Sequence, residues 1–550
     1  MSFLYDTQLY KLFEEYQNQL FEGNPVFASV LGIRDYDHEL PNMSKTELEL
    51  RNKRDISFLM ELEKLNTSNE LDENIDLEIF KLHLSSNNFT FKVLKNHEWD
   101  PLLYISLIGQ SLNILYDRVR QNPIERAKAI FSRLSKIPIL VQQAIINLNS
   151  CPALHRMTAI DQINGLIDTI QIKISKFLEE NRLFHDTITR SVINSLNVLK
   201  EHINSLSNNE IDFRTGLGLY EQGLYYVLGL TLNVETIKDR SEREKQRVYQ
   251  EMVRLSKELI MENGWSVNEN MSNRDLVKFA VEKIGEDRLD FDSWISYIEG
   301  ILGDLTSFIK MNNNIIDLDD SKKLLVELTP DWMRGVAIAY LNPPGPYEEG
   351  KDAKYYISPP LSSWSEERIK GHVREYNREM LKILSIHEGI PGHFVQLYYH
   401  NRCKSPIRRL IRNGAFVEGW AVFTEKIMLE SGYEINNKAL KLQGLKFYMR
   451  TIINAIIDQG IHAYNMNEEE AVRMMIEEGF QEEAEAKGKW NRALLSRWQL
   501  STYFVGYQVF NDLLLKYTGK LKQKELLTEL LNHGSPPVYI LDKILEAKYN

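Results

Sequence analysis

Between Ser385 and His400 the chain reads SIHEGIPGHFVQLYYH, which holds three of its twelve histidines in otherwise apolar company. His387, Glu388 and His393 are the residue types of a zinc hydrolase. Two imidazoles bind a divalent ion, and the carboxylate beside the first acts as general base towards water. The usual spacing is His-Glu-x-x-His, because residues i and i+4 share a helix face. Here the second histidine comes two residues later, and on a regular helix positions i and i+6 point well apart. Pro391 has no N–H to give the carbonyl of His387, and Gly392 tolerates unusual backbone angles. The expectation is a two-residue bulge between the histidines that returns both rings to one side. A third ligand from a second helix is Glu418, set among Phe416, Val417, Trp420, Ala421 and Val422, where an unpartnered carboxylate is costly. Glu425, two turns on, faces the same way and is placed to hydrogen-bond a ligand. His400 reads as a helix-end residue outside the site. Singly, each residue has an ordinary structural explanation: a core histidine, a Pro-Gly loop, a salt-bridged glutamate. Their order and combination favour a metal.

These residues need a frame. Hydrophobic residues make up 43% of the 550 and charged residues 26%, ordinary for a globular protein. The length exceeds what one core usually serves. The net charge of −11 is spread along the chain and argues against nucleic acid as a partner. Two distant cysteines, Cys151 and Cys403, form no disulfide framework or zinc ribbon and fit a reducing compartment. The opening MSFLYDTQLYKLFEEYQNQLFEGN lacks a basic n-region and an apolar run. Instead Leu9, Leu12, Phe13, Tyr16 and Leu20 recur at helical spacing. No stretch reads as a bilayer span, and the expected location is the cytoplasm.

Helical periodicity dominates. AIFSRLSKIPILVQQAIINLNS and LIDTIQIKISKFLEEN carry apolar residues three and four apart. A capping-box order at Ser241 and Glu244 predicts a helix that starts there and stops at Gly264. Asn467 with Glu470 predicts another start. Gly335 to Pro360 breaks the pattern, with β-friendly runs around a Pro/Gly-rich turn that predict a hairpin or short strands. Asp458 and His462, one turn apart near a helix end, make an Asp–His pair that can hold an imidazole in one tautomer. His462 is then a candidate hydrogen-bond donor to an oxyanion.

The chain resembles the DUF885 family. The hallmarks that carry the likeness are HEGIPGH (387–393), EGWA (418–421), DQGIH (458–462) and QLSTYFVG (499–506), with NPVFASVLGIRDYDHELPNMS near the start. The resemblance extends over nearly the whole chain and implies a zinc metallopeptidase. It also raises Tyr503, one of 26 tyrosines, to a second candidate oxyanion donor. Phe394 and Arg497 stand where many members have histidine and proline, departures that bear on pocket shape. The arrangement is similar to helical gluzincin peptidases as well, a likeness by analogy.

The resulting expectation is a mainly α-helical body with a small β element near 335–360 and a deep cleft. An N-terminal helical lobe spans about 1–205 and a catalytic lobe 206–550. The expected function is zinc-dependent hydrolysis of short peptides, of carboxypeptidase or dipeptidase type. His387, His393 and Glu418 hold one Zn2+, Glu388 is general base, and His462 and Tyr503 steady the oxyanion. Co, Mn or Fe would suit the same donors. The alternatives are an amidohydrolase acting on a small non-peptide amide, and a helical binding protein with a vestigial metal site. A structural zinc wants four protein ligands, and three are in view. Arg450, Arg492 and Arg497 lie near the site motifs as candidates for a substrate carboxylate, without a choice among them.

Overall fold

Asparagine side chains fix where the helices around the histidine motif begin. Asn377 accepts the N–H groups of Glu379 and Met380 at 3.1 Å each, and so opens the helix Arg378–Glu388. Asn413 does the same through Phe416 for Gly414–Glu430, and Asn437 through Leu440 for Lys438–Tyr464. Such caps satisfy amide groups that the first helical turn leaves without partners. The computed structural model describes residues 7–549 apart from 67, 69, 119–120, 208–212, 330–337, 349–351 and 362–363.

The fold is mainly α-helical with one small sheet. The chain divides into two units, Met1–Phe213 with Pro344–Lys351, and Arg214–Pro343 with Asp352–Asn550. In the first unit, Pro101–Tyr116, Pro123–Asn147, Ala153–Thr169 and Asp186–Ser205 bury one continuous apolar cluster that includes Ile108, Leu112, Ile130, Leu134, Ile163 and Leu196. Pro123–Asn147 is long and apolar enough to cross a bilayer, which the sequence reading did not anticipate. In the fold its apolar stripe lies in this core, and its buried Arg133 donates to the Ser111 carbonyl and the Ser29 hydroxyl at 2.6 Å. The segment beginning at Pro344 joins the same unit: Tyr347 N–H donates to the Leu31 carbonyl at 3.0 Å.

The second unit holds the sheet and the motif helices. β1 (Leu324–Leu328), β2 (Ala339–Asn342) and β3 (Ala353–Ile357) lie in the order β1-β3-β2. β2 and β3 pair antiparallel, as a hairpin requires, with Leu341 opposite Tyr355. β1 adds a parallel partner on the other side of β3. Residues 335–337 and 349–351 of the expected β segment lie outside the described residues. Ser358 N–H donates to Ile338 C=O at 2.7 Å, so by alternation Ile338, Tyr340 and Asn342 bond inward to β3. The main-chain groups of Ala339 and Leu341 then face away from β3, on a side where no strand pairs among the described residues. The helix expected to open at Ser241 begins earlier, at Val234 under Asn233, and runs to Glu262. Val234 and Ile237 are buried and extend its apolar face by two turns, while Ser241 sits inside it and donates to the Lys238 carbonyl.

Gly414–Glu430 and Ser501–Tyr517 cross backbone to backbone. A Cβ on Gly506 would lie 1.9 Å from the Ala415 carbonyl oxygen, and one on Gly419 would lie 2.4 Å from the Gly506 Cα. Phe416, Phe423 and Phe510 close around the crossing. By contrast Gly488, within Glu483–Leu495, has open space where a Cβ would stand. Gly506→Ala is therefore expected to lose about 1–3 kcal/mol of stability through overpacking, whereas Gly488→Ala gains up to about 1 kcal/mol from helix propensity. Urea denaturation of the two variants beside wild type measures both, and equal effects would remove the crossing argument.

Candidate metal centre

The histidine motif does not form one bulged helix. The first helix ends at Glu388 and a new one starts at His393, running to Asn401. The intervening turn folds back on the helix end: Gly389 and Ile390 N–H donate to the Ser385 carbonyl, and Gly392 N–H donates to that of Ile386 at 3.0 Å. Only a residue without Cβ fits at 392, since one there would sit 2.0 Å from the His387 oxygen. Pro391 cannot continue the ladder, and its own carbonyl accepts the Trp420 indole N–H at 3.0 Å. Pro391 and Gly392 cause the irregularity expected of them, and its extent is greater than a bulge: a full break gives each histidine its own helix.

The break brings His387 and His393 edge to face, ring centroids 4.8 Å apart. Glu418 comes from the adjacent helix, its Oε2 lying 3.9 Å from His387 Nε2 and 3.5 Å from His393 Nε2. One ligand atom from each of the three lies within 4.8 Å of the others. A tetrahedral zinc with bonds of 2.0–2.1 Å holds its donors about 3.4 Å apart, so the spacing suits such an ion. The Glu425 carboxylate meets His387 Nδ1 at 2.7 Å, which leaves Nε2 as the donor facing Glu418. Burial, helped by His393, lowers the His387 pKa to about 3, so its ring is neutral and has a lone pair to give. For His393, burial lowers the pKa, but the hydrogen bond and charge of Glu418 outweigh it and raise it. Glu388, Glu418 and Glu425 converge on two imidazoles. Burial raises the carboxyls of Glu388 and Glu425, while at Glu418 burial is outweighed by the hydrogen bond and charge of His393, which lower it. A divalent cation would favour the charged form of all three.

Glu388 is buried beside this group. Burial raises its carboxyl pKa to about 7, against the opposing pull of His393. Its carboxylate accepts the Leu341 N–H, a group on the side of β2 away from β3. The Tyr355 hydroxyl on β3 is buried within electrostatic reach of Glu388. Neither contact was legible in sequence; a β-alternating run close upstream of a catalytic motif is the signal that could have found them.

Tyr503 also belongs here. Its hydroxyl accepts Arg492 Nη2–H at 3.2 Å and the Gln499 amide N–H at 3.4 Å. Burial and the charge of Glu418 raise its pKa to about 12. With two donors pointed at its oxygen, the phenolic proton is left to a third partner. Gln499, one turn before Tyr503 in the same motif, had no role assigned from sequence. His462 is placed otherwise. It is fully buried, and its Nε2 faces the Ala493 and Ser496 carbonyls at 2.9 and 3.2 Å, so this N–H is committed to backbone. Asp458 accepts the Tyr220 and Ser501 hydroxyls at 2.7 Å each, and its nearest approach to His462 is 3.9 Å. The pair anchors the connection between the helices that carry Arg492 and Tyr503. His400 binds the Arg409 carbonyl and the Ser535 hydroxyl, away from the ligands.

A family model described as "Bacterial protein of unknown function (DUF885)" matches residues 25–545. Among solved structures, a protein from Shewanella oneidensis described as "a putative lipoprotein of unknown function" is 26% identical with a TM-score of 0.82, covering 98% of this chain and 100% of its own. One from Colwellia psychrerythraea, described as "the putative lipoprotein", is 16% identical with a TM-score of 0.80 over 98% of each chain, a likeness of fold. No curated protein matches the chain.

The placement of His462 separates two outcomes. His462→Ala strips the donor from two buried carbonyls and should cost about 1–3 kcal/mol of stability, seen as a lower melting temperature. A variant as stable as wild type with lost activity alone would return His462 to the chemistry.

Proposed function

The chain belongs to the DUF885 family, and from the centre its motifs build we propose that it is a metal-dependent hydrolase of short peptides. The observation that carries this reading is the convergence of His387, His393 and Glu418 with Glu388 directly beside the first ligand. Those three residues would hold one divalent ion, zinc by donor type, which when bound supplies Lewis acidity to a water and to a carbonyl.

The remaining roles fall to the chain's own groups. Glu388 holds or releases one proton at its carboxylate, since its pKa lies near neutrality; it takes the proton from the attacking water and delivers it to the leaving nitrogen. Tyr503, kept protonated and held by Arg492 and Gln499, donates its hydrogen bond to the oxygen on which charge develops. With the Leu341 N–H taken by Glu388, the outward Ala339 N–H and C=O and the Leu341 C=O of β2 suit an extended main chain, which favours a peptide over a small non-peptide amide. Glu418 keeps 27% of its side chain accessible, so the group is not sealed. Three protein donors fit a site that leaves a position for substrate better than a structural zinc, which takes four. As to location, the two buried cysteines, Cys151 and Cys403, suit a reducing compartment. The description of the Shewanella relative points towards a membrane-attached form, and fractionation of cells expressing the full-length gene decides between the two.

Elemental analysis of wild type, His393→Ala and Glu388→Gln tests the centre, with hydrolysis of a mixed peptide library alongside. Near-stoichiometric zinc in wild type and in an inactive Glu388→Gln, lost in His393→Ala, is the expected pattern. A wild type that takes up no metal when zinc is supplied would end the hydrolase reading. Glu425→Gln should weaken zinc affinity about 10–100-fold. Tyr503→Phe should keep the metal and lower kcat about 10²-fold or more.

A further inference from the structure

Behind Tyr503 lies a cluster of cationic side chains, with Lys446 and Lys489 buried, of which the proposed chemistry uses Arg492 alone. Lys489 and Arg492 stand one turn apart on Glu483–Leu495, and Lys446 and Arg450 one turn apart on Lys438–Tyr464. The acids that face them are Glu375 and Glu485, with Glu418 beside Arg492. Glu375 is taken by Lys446 at 2.6 Å, and Glu485 lies 3.9 Å from His372. Arg450 lies against the Tyr376 hydroxyl, with Glu485 and Glu375 within electrostatic reach. Lys489 is 7% exposed and makes no hydrogen bond or ion pair with any described residue. Burial and then the charges of Arg450 and Arg492 push its pKa well below that of an ordinary lysine. Three carboxylates stand among these four cationic side chains, Glu375, Glu485 and, at the Arg492 end, Glu418. Lys489 is the buried one left without a partner of its own, a group that an entering anion would offset.

The set is continuous with the metal centre. Arg492 touches Tyr503 and lies within electrostatic reach of Glu418. Lys489 is one helical turn beyond Arg492, about 5 Å along the axis, the length of one or two extended peptide residues. The geometry points to Lys489 and Arg450, with Arg492 at the inner end, as a subsite for the C-terminal carboxylate of a peptide whose scissile bond lies one or two residues earlier. This rests on the hydrolase reading and deepens it: the enzyme trims from the C-terminus, and peptides that lack a free carboxylate are poor ligands. Of the three arginines open from sequence, Arg450 and Arg492 take part, and both act beside a lysine that the sequence reading passed over.

The test uses zinc-supplied Glu388→Gln protein, so that binding is read without turnover. Isothermal titration calorimetry compares acetyl-trialanine bearing a free C-terminus with the same peptide amidated. The acid should bind about tenfold tighter or more, the range of a charge-assisted hydrogen bond to a buried partner. Lys489→Met, which removes a buried charge and should fold, is expected to erase that difference, and Arg450→Lys to reduce it. Equal binding of acid and amide, no binding of either, or a preference that survives Lys489→Met would overturn the subsite. The two readings fail separately. Wild type that cleaves peptides without regard to the C-terminal group keeps the hydrolase and loses the subsite. A clear carboxylate preference in a protein that cleaves nothing keeps the subsite and loses the hydrolase.

Discussion

The helix that carries Glu418 meets the helix that carries Tyr503 with main chain against main chain, and the site depends on that contact. Gly419 follows Glu418 directly, and Gly506 lies one turn beyond Tyr503. Each occupies a position where any side chain would overlap the other helix. Interhelical distances are set by the side chains at the crossing, and here there are none. The two helices approach as closely as a peptide backbone permits, which puts the Glu418 carboxylate and the Tyr503 phenol in one electrostatic neighbourhood. The aromatic cluster of Phe416, Phe423 and Phe510 fills the space on either side and keeps the crossing angle from drifting.

Around that crossing, burial and charge are balanced group by group. His387 is kept neutral by its dry surroundings and oriented by Glu425. Glu388 is pushed towards neutrality by the same burial, while the Leu341 N–H supports its charged form. Asp458 and His462 bond to hydroxyls and backbone carbonyls instead. They tie down the loop between Arg492 and Tyr503 through the Ala493 and Ser496 carbonyls and the Ser501 hydroxyl.

Much of this was legible in the chain, for identifiable reasons. His387, His393 and Glu418 were readable because imidazole and carboxylate in apolar company need partners, and that need is local. The capping box at Asn467 and Glu470 appears as read, since caps are written in adjacent residues. What escaped depends on contacts distant in sequence. Nothing in LLVEL announces that it pairs in parallel with AKYYI, and nothing in Leu341 announces that its N–H meets Glu388. Ser241 misled because a capping-box pattern does not reveal that the apolar face continues two turns upstream. His462 misled because an Asp–His pair has the same spacing whether it serves chemistry or holds a loop.

In a single helix, the separation of two histidines is fixed by the helical repeat. In this chain it is fixed by the turn Gly389–Gly392, held to the end of the first helix by Ser385 and Ile386 and to the Glu418 helix by Trp420. The bite of the two imidazoles is thus a property of loop backbone. For an ion held by these donors, preference among zinc, cobalt and manganese can shift with substitutions in or under the turn while all three ligands stay in place. Were such an ion bound, its selectivity and the identity of its ligands would be separable traits, one set by the turn and the other by the three side chains.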